Sequence, residues 1–134
     1  MNIKEIISTD KAPKAIGPYS QAVIAGCFIY ISGQGAIDPI TNVYNPASIE
    51  IETELALNNI KAILESAGKN LSDIVKVTVF LKNMDDFPAF NKVYEKFFRE
   101  NPPARSCIES SRLPKGFNIE IEAIALRNEW IFKA

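Results

Sequence analysis

The chain has 134 residues, 47% of them hydrophobic and 23% charged, with 15 basic residues against 16 acidic ones, two cysteines and no histidine. That length reads as one domain over residues 1–134, enough to bury roughly 68% of the unfolded chain's surface. A net charge of −1 without a basic stripe argues against nucleic acid as partner, and the missing histidine excludes Ser-His-Asp and Cys-His pairs, two-histidine metal sites and an imidazole base.

In chain order, Met1-Asn2-Ile3-Lys4-Glu5 carries charge where a secretory leader needs an apolar run, and no later stretch reaches the length of a membrane span. Residues 22–34 read as a hairpin: Val23-Ile24, a turn at Ala25-Gly26, then Cys27-Phe28-Ile29-Tyr30-Ile31-Ser32-Gly33. Asp38-Pro39 and Asn45-Pro46 bracket a loop. From Ser48 to Ala67, the residues Ala56, Ile60, Ile63, Leu64 and Ala67 recur on one helical face. Glu50 and Glu52 suit that helix's positive end, and Gly68 suits a left-handed stop. The β-branched run Ile74–Leu81 is a strand with Val75, Val77, Val79 and Leu81 on one buried face.

Asp85 or Asp86 then caps a second helix with a stripe of Phe87, Phe90, Tyr94, Phe97 and Phe98, which Pro102-Pro103 ends. In a strand over Ala104–Ser110, Arg105, Cys107 and Glu109 share one side. In a last strand over Asn118–Arg127, Ile119, Ile121, Ala123 and Ala125 form an apolar face opposite Glu120, Glu122, Ile124 and Leu126. Cys27 and Cys107 lie 80 positions apart, which is neither a metal clip nor a disulfide framework; with no leader, a soluble cytoplasmic protein is expected.

The order strand, strand, helix, strand, helix, strand, strand gives an α+β fold: a single sheet with two helices packed on one face. If the helices cover the valine-rich side, the other side carries Phe80, Ile124 and Leu126 beside Arg105, Glu120 and Glu122, with nothing left to cover it. Such a face calls for another copy of the chain, so a homo-oligomer with sites near its seams is expected.

Arg105 is the first candidate for chemistry, because a guanidinium holds a carboxylate through two parallel hydrogen bonds; spacing alone favours pairing with Glu120 or Glu122. Those two glutamates, two apart on a strand, resemble an acid/base pair, but with one Trp in the chain a sugar cleft is rejected. Cys107 shares the side of Arg105, whose charge would lower its pKa; lacking a base, it reads as a small buried hydrophobe. Asn91 falls inside the aromatic stripe and needs a partner there, either a neighbouring loop or a site. Gly33 ends a strand where a backbone can approach a ligand closely. Tyr19, after Gly17-Pro18, either holds a ligand or anchors its loop, and the sequence favours the anchor.

Taken together, Ala15-Ile16-Gly17-Pro18-Tyr19-Ser20-Gln21-Ala22, Ser32-Gly33-Gln34 with Asp38-Pro39, Asp73–Leu81, and Pro103-Ala104-Arg105-Ser106-Cys107 through Arg112-Leu113-Pro114-Lys115-Gly116 to Ile119–Ala125 resemble the RidA (YjgF) reactive intermediate deaminase family. The resemblance covers Ile7 to Leu126. It implies a chorismate-mutase-like fold assembled as a homotrimer, with a central β-barrel and clefts between subunits. It also implies hydrolysis of 2-imino or enamine acids, such as 2-aminoacrylate and 2-iminobutanoate, to 2-keto acids and ammonia, without metal or organic cofactor. By the resemblance Arg105 binds the substrate carboxylate and Glu120 orders the attacking water. Tyr19, Ser32, Gly33, Asn91 and Cys107 line the cleft, Cys107 mostly through its backbone.

Three stretches depart from the family pattern. Gly35-Ala36 stands where an aliphatic residue and a proline are usual, so a more mobile loop and an altered cleft are expected. Ser110-Ser111 replaces a more apolar pair, and the tail Asn128–Ala134 is long, its Trp130, Ile131 and Phe132 expected to dock on the same trimer. The alternative reading is a keto-acid-sensing or chaperone-like binding module. Family links to RNA cleavage and translation inhibition sit poorly with this charge balance.

Overall fold

The structure is a computed structural model that describes residues 4–127. The tail with Trp130, Ile131 and Phe132 lies outside the described residues. Six strands and two helices follow in the order β1 Lys4–Ile7, β2 Ala22–Ala25, β3 Phe28–Gln34, α1 Ile49–Ser66, β4 Ile74–Leu81, α2 Phe87–Phe97, β5 Ala104–Glu109 and β6 Ile119–Leu126. They form a single sheet in the order β1-β2-β3-β6-β4-β5, antiparallel except for the parallel pair β4 and β5. Among the described residues no helix is long and apolar enough to cross a membrane.

β1 is an element the hydrophobic pattern does not reveal, because three of its four residues are exposed and it is made by pairing along β2. α1 begins at Ser48, whose hydroxyl accepts the Ile51 N–H, and is closed as expected by Gly68 at φ +72°. There the Lys69 N–H reaches the Leu64 carbonyl and the Gly68 N–H that of Glu65, which satisfies two of the last free carbonyls. α2 starts differently from the expectation. Asp86 occupies its N-cap without a side-chain bond, and Asn83 instead caps a 3₁₀ turn, Met84–Asp86, that feeds the helix. α2 also stops at Phe97, short of Pro102-Pro103, although Phe98 just beyond it is buried with Phe90 and Tyr94.

Both helices pack on one face of the sheet. Ile60, Ile63 and Leu64 of α1 and Phe90 of α2 join Val77, Val79, Leu81, Ile119 and Ile121 in one core, whose burial supplies the main stabilisation. Val75 does not belong to it. The register slips between Ile74 and Lys76, so Ile74 turns inward and Val75 is 37% exposed, as a bulge in a period-two strand requires.

The register also corrects the expected composition of the open face. Val77 pairs with Arg105 and Val79 with Cys107, so these two side chains share the helix-covered face. Phe80 pairs with Glu120 and Thr78 with Glu122, on the opposite face. Arg105 and Glu120 are thus separated by the thickness of the sheet. The open face presents Ile6, Phe28, Tyr30, Ile108 and Leu126, each exposed by 36% or more, and no element among the described residues covers it.

Candidate active site

Two polar clusters result, one on each side of the sheet. In the first, Arg105 projects from β5 against the aromatic stripe of α2. Its guanidinium carbon lies 4.6 Å from the ring centroid of Tyr94, 5.4 Å from Phe90 and 5.6 Å from Phe87, a sleeve that attracts the cation through three π faces. Arg105 Nη1 donates to Asn91 Oδ1 at 2.9 Å, which gives the asparagine in the apolar stripe its partner. No described salt bridge includes Arg105, and its expected structural pairing with Glu120 or Glu122 is ruled out by the opposite faces. One guanidinium nitrogen is engaged by Asn91, and the fork keeps further donors for an anion.

Cys107, on the same face as Arg105, is half-buried. Burial pushes its thiol pKa up, and the Arg105 charge only partly opposes this, contrary to the expected lowering. A thiol held protonated is a poor nucleophile. The Tyr94 hydroxyl is buried with no hydrogen-bond partner among the described residues, and burial pushes it up to about 12 against the opposing Arg105 charge. It is therefore a neutral donor at physiological pH.

The second cluster surrounds Glu120. Its carboxylate lies over Gly33, where a Cβ would meet Oε2 at 2.7 Å and Cδ at 2.8 Å, so glycine admits the acid rather than only a ligand. Burial raises the Glu120 pKa, and the Glu122 carboxylate raises it further; both make the charged form harder to hold. Ser32 donates its hydroxyl to the Ser20 carbonyl at 2.6 Å, which ties the Tyr19 loop to β3. Tyr19 anchors its loop, its hydroxyl accepting the Ile16 N–H at 3.3 Å, and it also lines a cavity of about 250 Å³ with Gly33 and Glu120. A larger cavity of about 730 Å³ lies between α1 and α2, lined in part by Glu50, Ile51, Lys92 and Val93, and contains none of the candidates.

The stretch after Gly33 is held in place rather than loosened by its glycine. Asn59 Nδ2 donates to the carbonyls of Gly35 and Ile37 at 3.2 and 2.9 Å, and Ala36 is buried. Glu52, expected to serve the helix end, is fully buried and accepts from the Tyr44 hydroxyl, the Ala47 and Asn118 N–H groups and Asn118 Nδ2. That network fixes the entry to β6. A signal for it exists in the sequence, since Glu52 and Asn59 both fall on the apolar stripe of α1, where a polar group needs a partner. The sleeve around Arg105 has a fainter signal, aromatic residues at helical spacing that otherwise read as core.

The endoribonuclease L-PSP family matches residues 9–127. The chain belongs to that family, the RidA (YjgF) family of the resemblance. A RutC family protein of Pyrococcus horikoshii is 54% identical over 93% of this chain and 99% of its own length. TdcF of Escherichia coli, whose name carries a proposed reactive intermediate deaminase activity, is 45% identical over 94% of this chain and 99% of its own. The crystal structure of TdcF with bound serine superposes with a TM-score of 0.88, covering 92% of this chain and 99% of that one at 44% identity. The RidA fold, a mixed sheet backed by two helices, is therefore common to this chain and to a relative that holds a small amino acid.

Proposed function

We propose that this chain is a cytoplasmic RidA-type deaminase that hydrolyses 2-imino and enamine acids, such as 2-aminoacrylate and 2-iminobutanoate, to 2-keto acids and ammonia. Its role would be to intercept reactive products of pyridoxal-phosphate-dependent dehydratases. The observation that carries the reading is the division of the candidates: Arg105 with Asn91 and Cys107 on one face of the sheet, Glu120 with Gly33 and Tyr19 on the other. A single chain holds two half-sites. The uncovered apolar face offers the means to join them, and the family resemblance supplies the number, a homotrimer with three clefts between neighbours.

In such a cleft the chemistry needs little. Arg105, oriented by Asn91 and the aromatic sleeve, fixes the substrate carboxylate, so the imine carbon is presented in one pose. Water adds its oxygen to C2 while its proton passes to Glu120, whose raised pKa makes it a better acceptor than an ordinary carboxylate. Glu120 returns that proton to the nitrogen, giving a carbinolamine; the new hydroxyl then passes its own proton by way of Glu120 to the amine as the C2–N bond breaks, and a carbonyl and ammonia remain. The TdcF structure with bound serine supports a site for a small molecule bearing a carboxylate and an amine.

The test is keto-acid release while a threonine dehydratase generates 2-iminobutanoate, with Arg105→Ala as control. The deaminase reading expects acceleration that the variant loses while remaining an oligomer. Binding of 2-ketobutyrate without acceleration would replace it with a sensing role.

A further inference from the structure

The cavity between α1 and α2 has walls of opposite sign. Glu50 and Glu54, one turn apart on α1, form one side of it, and Lys92 and Lys96, one turn apart on α2, form the other. All four are exposed, and none is in an ion pair among the described residues. Between them runs an apolar floor of Ile51, Ala89, Val93 and Phe97. Ile51, in the first turn of α1, is 59% exposed. A groove with a bare isoleucine on its floor and charges of both signs on its walls suits an occupant with the matching pattern: an acidic residue, a large apolar group and a basic residue in succession.

The chain itself contains that pattern. In Asn128-Glu129-Trp130-Ile131-Phe132-Lys133-Ala134, outside the described residues, Glu129 and Lys133 flank three large apolar side chains. At about 3.5 Å per residue the two charges can stand up to roughly 14 Å apart, enough to meet both walls of a helix pair whose axes lie about 8–10 Å apart. The segment cannot serve the groove of its own chain. Arg127 borders a cavity with Ser66 and Ala67, which puts the last described residue at the C-terminal end of α1. Ile51 lies fifteen residues before Ser66 on that helix, about 22 Å away at about 1.5 Å per residue. Phe132, five residues past Arg127, reaches at most about 18 Å, and Trp130 less. We propose that the groove between α1 and α2 receives the segment 128–134 of a second copy of this chain. Trp130, Ile131 and Phe132 lie on the floor beside Ile51, Glu129 faces Lys92 and Lys96, and Lys133 faces Glu50 and Glu54. Each chain then gives one segment and takes another, a head-to-tail contact rather than a self-matching one. It lies on the helix side of the molecule, so it adds to association through the open sheet face instead of competing with it.

Trp130 is the chain's only tryptophan, so intrinsic fluorescence reports on this segment alone. In the intact protein its emission is expected to lie to the blue of the free peptide Asn128–Ala134, and Lys92→Glu/Lys96→Glu is expected to move it back to the peptide's position. Adding Glu129→Lys to that double variant restores opposite signs at this wall and should return the blue shift. A mixture tests which copy provides the groove. Ile51→Glu keeps the segment but places a charge on the floor, whereas Trp130→Ala/Ile131→Ala/Phe132→Ala keeps the groove and has no tryptophan. The first chain alone should emit like the peptide, and after unfolding and refolding with an excess of the second its emission should move to the blue. Wild-type emission at the peptide's position, or a blue shift that neither groove variant reduces, would overturn the groove as the docking place. Emission that stays at the peptide's position in the mixture would overturn the second copy as the groove's owner.

Discussion

Replacing Gly33 by alanine places one methyl group against the Glu120 carboxylate. The new Cβ would stand 2.7 Å from Oε2, 2.8 Å from Cδ and 3.1 Å from Cγ. Gly33 does not use the positive-φ region, so the backbone accepts alanine and the carboxylate must yield. Restoring an ordinary 3.4 Å contact moves it by about 0.7 Å, more than the roughly 0.5 Å range over which a hydrogen bond keeps its strength. Losing one well-made bond from the carboxylate to the attacking water costs about 1.5–3 kcal/mol, which is a factor of roughly 10 to 100 in rate. Stability should hold or rise slightly, since alanine narrows the unfolded ensemble at a compatible site. The measurement is kcat/KM for 2-iminobutanoate together with the thermal midpoint. Wild-type turnover in Gly33→Ala would refute the placement of Glu120 in the chemistry, and a collapse of the midpoint would show that the methyl group disturbs more than the carboxylate.

Other predictions follow from the same geometry. Glu122→Gln removes the like charge that adds to the raised pKa of Glu120, so the acid limb of the pH–rate profile should shift to lower pH, the larger contribution from burial remaining. Glu120→Gln should lower kcat more than it raises KM. Because burial raises its folded pKa, Glu120 favours the folded state at low pH and loses that contribution as pH rises; the glutamine variant should match or exceed wild-type stability at about pH 8, the gap closing near about pH 4. Glu52→Ala leaves the Tyr44, Ala47 and Asn118 donors without their acceptor. It should destabilise by about 3–5 kcal/mol, visible in thermal unfolding as a drop of about 10–18 °C.

Periodicity revealed most of the architecture because hairpin, helices and β6 each bury one face of a regular element. It failed where the ladder is irregular or the element is short: Val75 is turned out by a bulge, and β1 buries one residue of four. The site was legible residue by residue but not in space. Alternation alone grouped Arg105 with Cys107, yet nothing local to β5 says which face of a sheet that side joins; only the parallel register with β4 does. Asn91 stands out by its polarity in an aromatic stripe, and its bond to Arg105 explains it. Phe117 does not stand out in the sequence, since a phenylalanine before a strand looks like ordinary core until Gly35 is seen beneath its ring.

The central claim is that Arg105 of one copy and Glu120 of its neighbour complete one site. Arg105→Ala and Glu120→Gln chains, each inactive as pure assemblies, are unfolded together, refolded as a mixture and assayed for imine hydrolysis. If the site spans two copies of a trimer, random assembly restores an intact Arg105–Glu120 pair in about a quarter of the clefts, and activity returns to about that fraction of wild type. If both residues serve within one chain, no cleft is intact and the mixture stays as inactive as its parents.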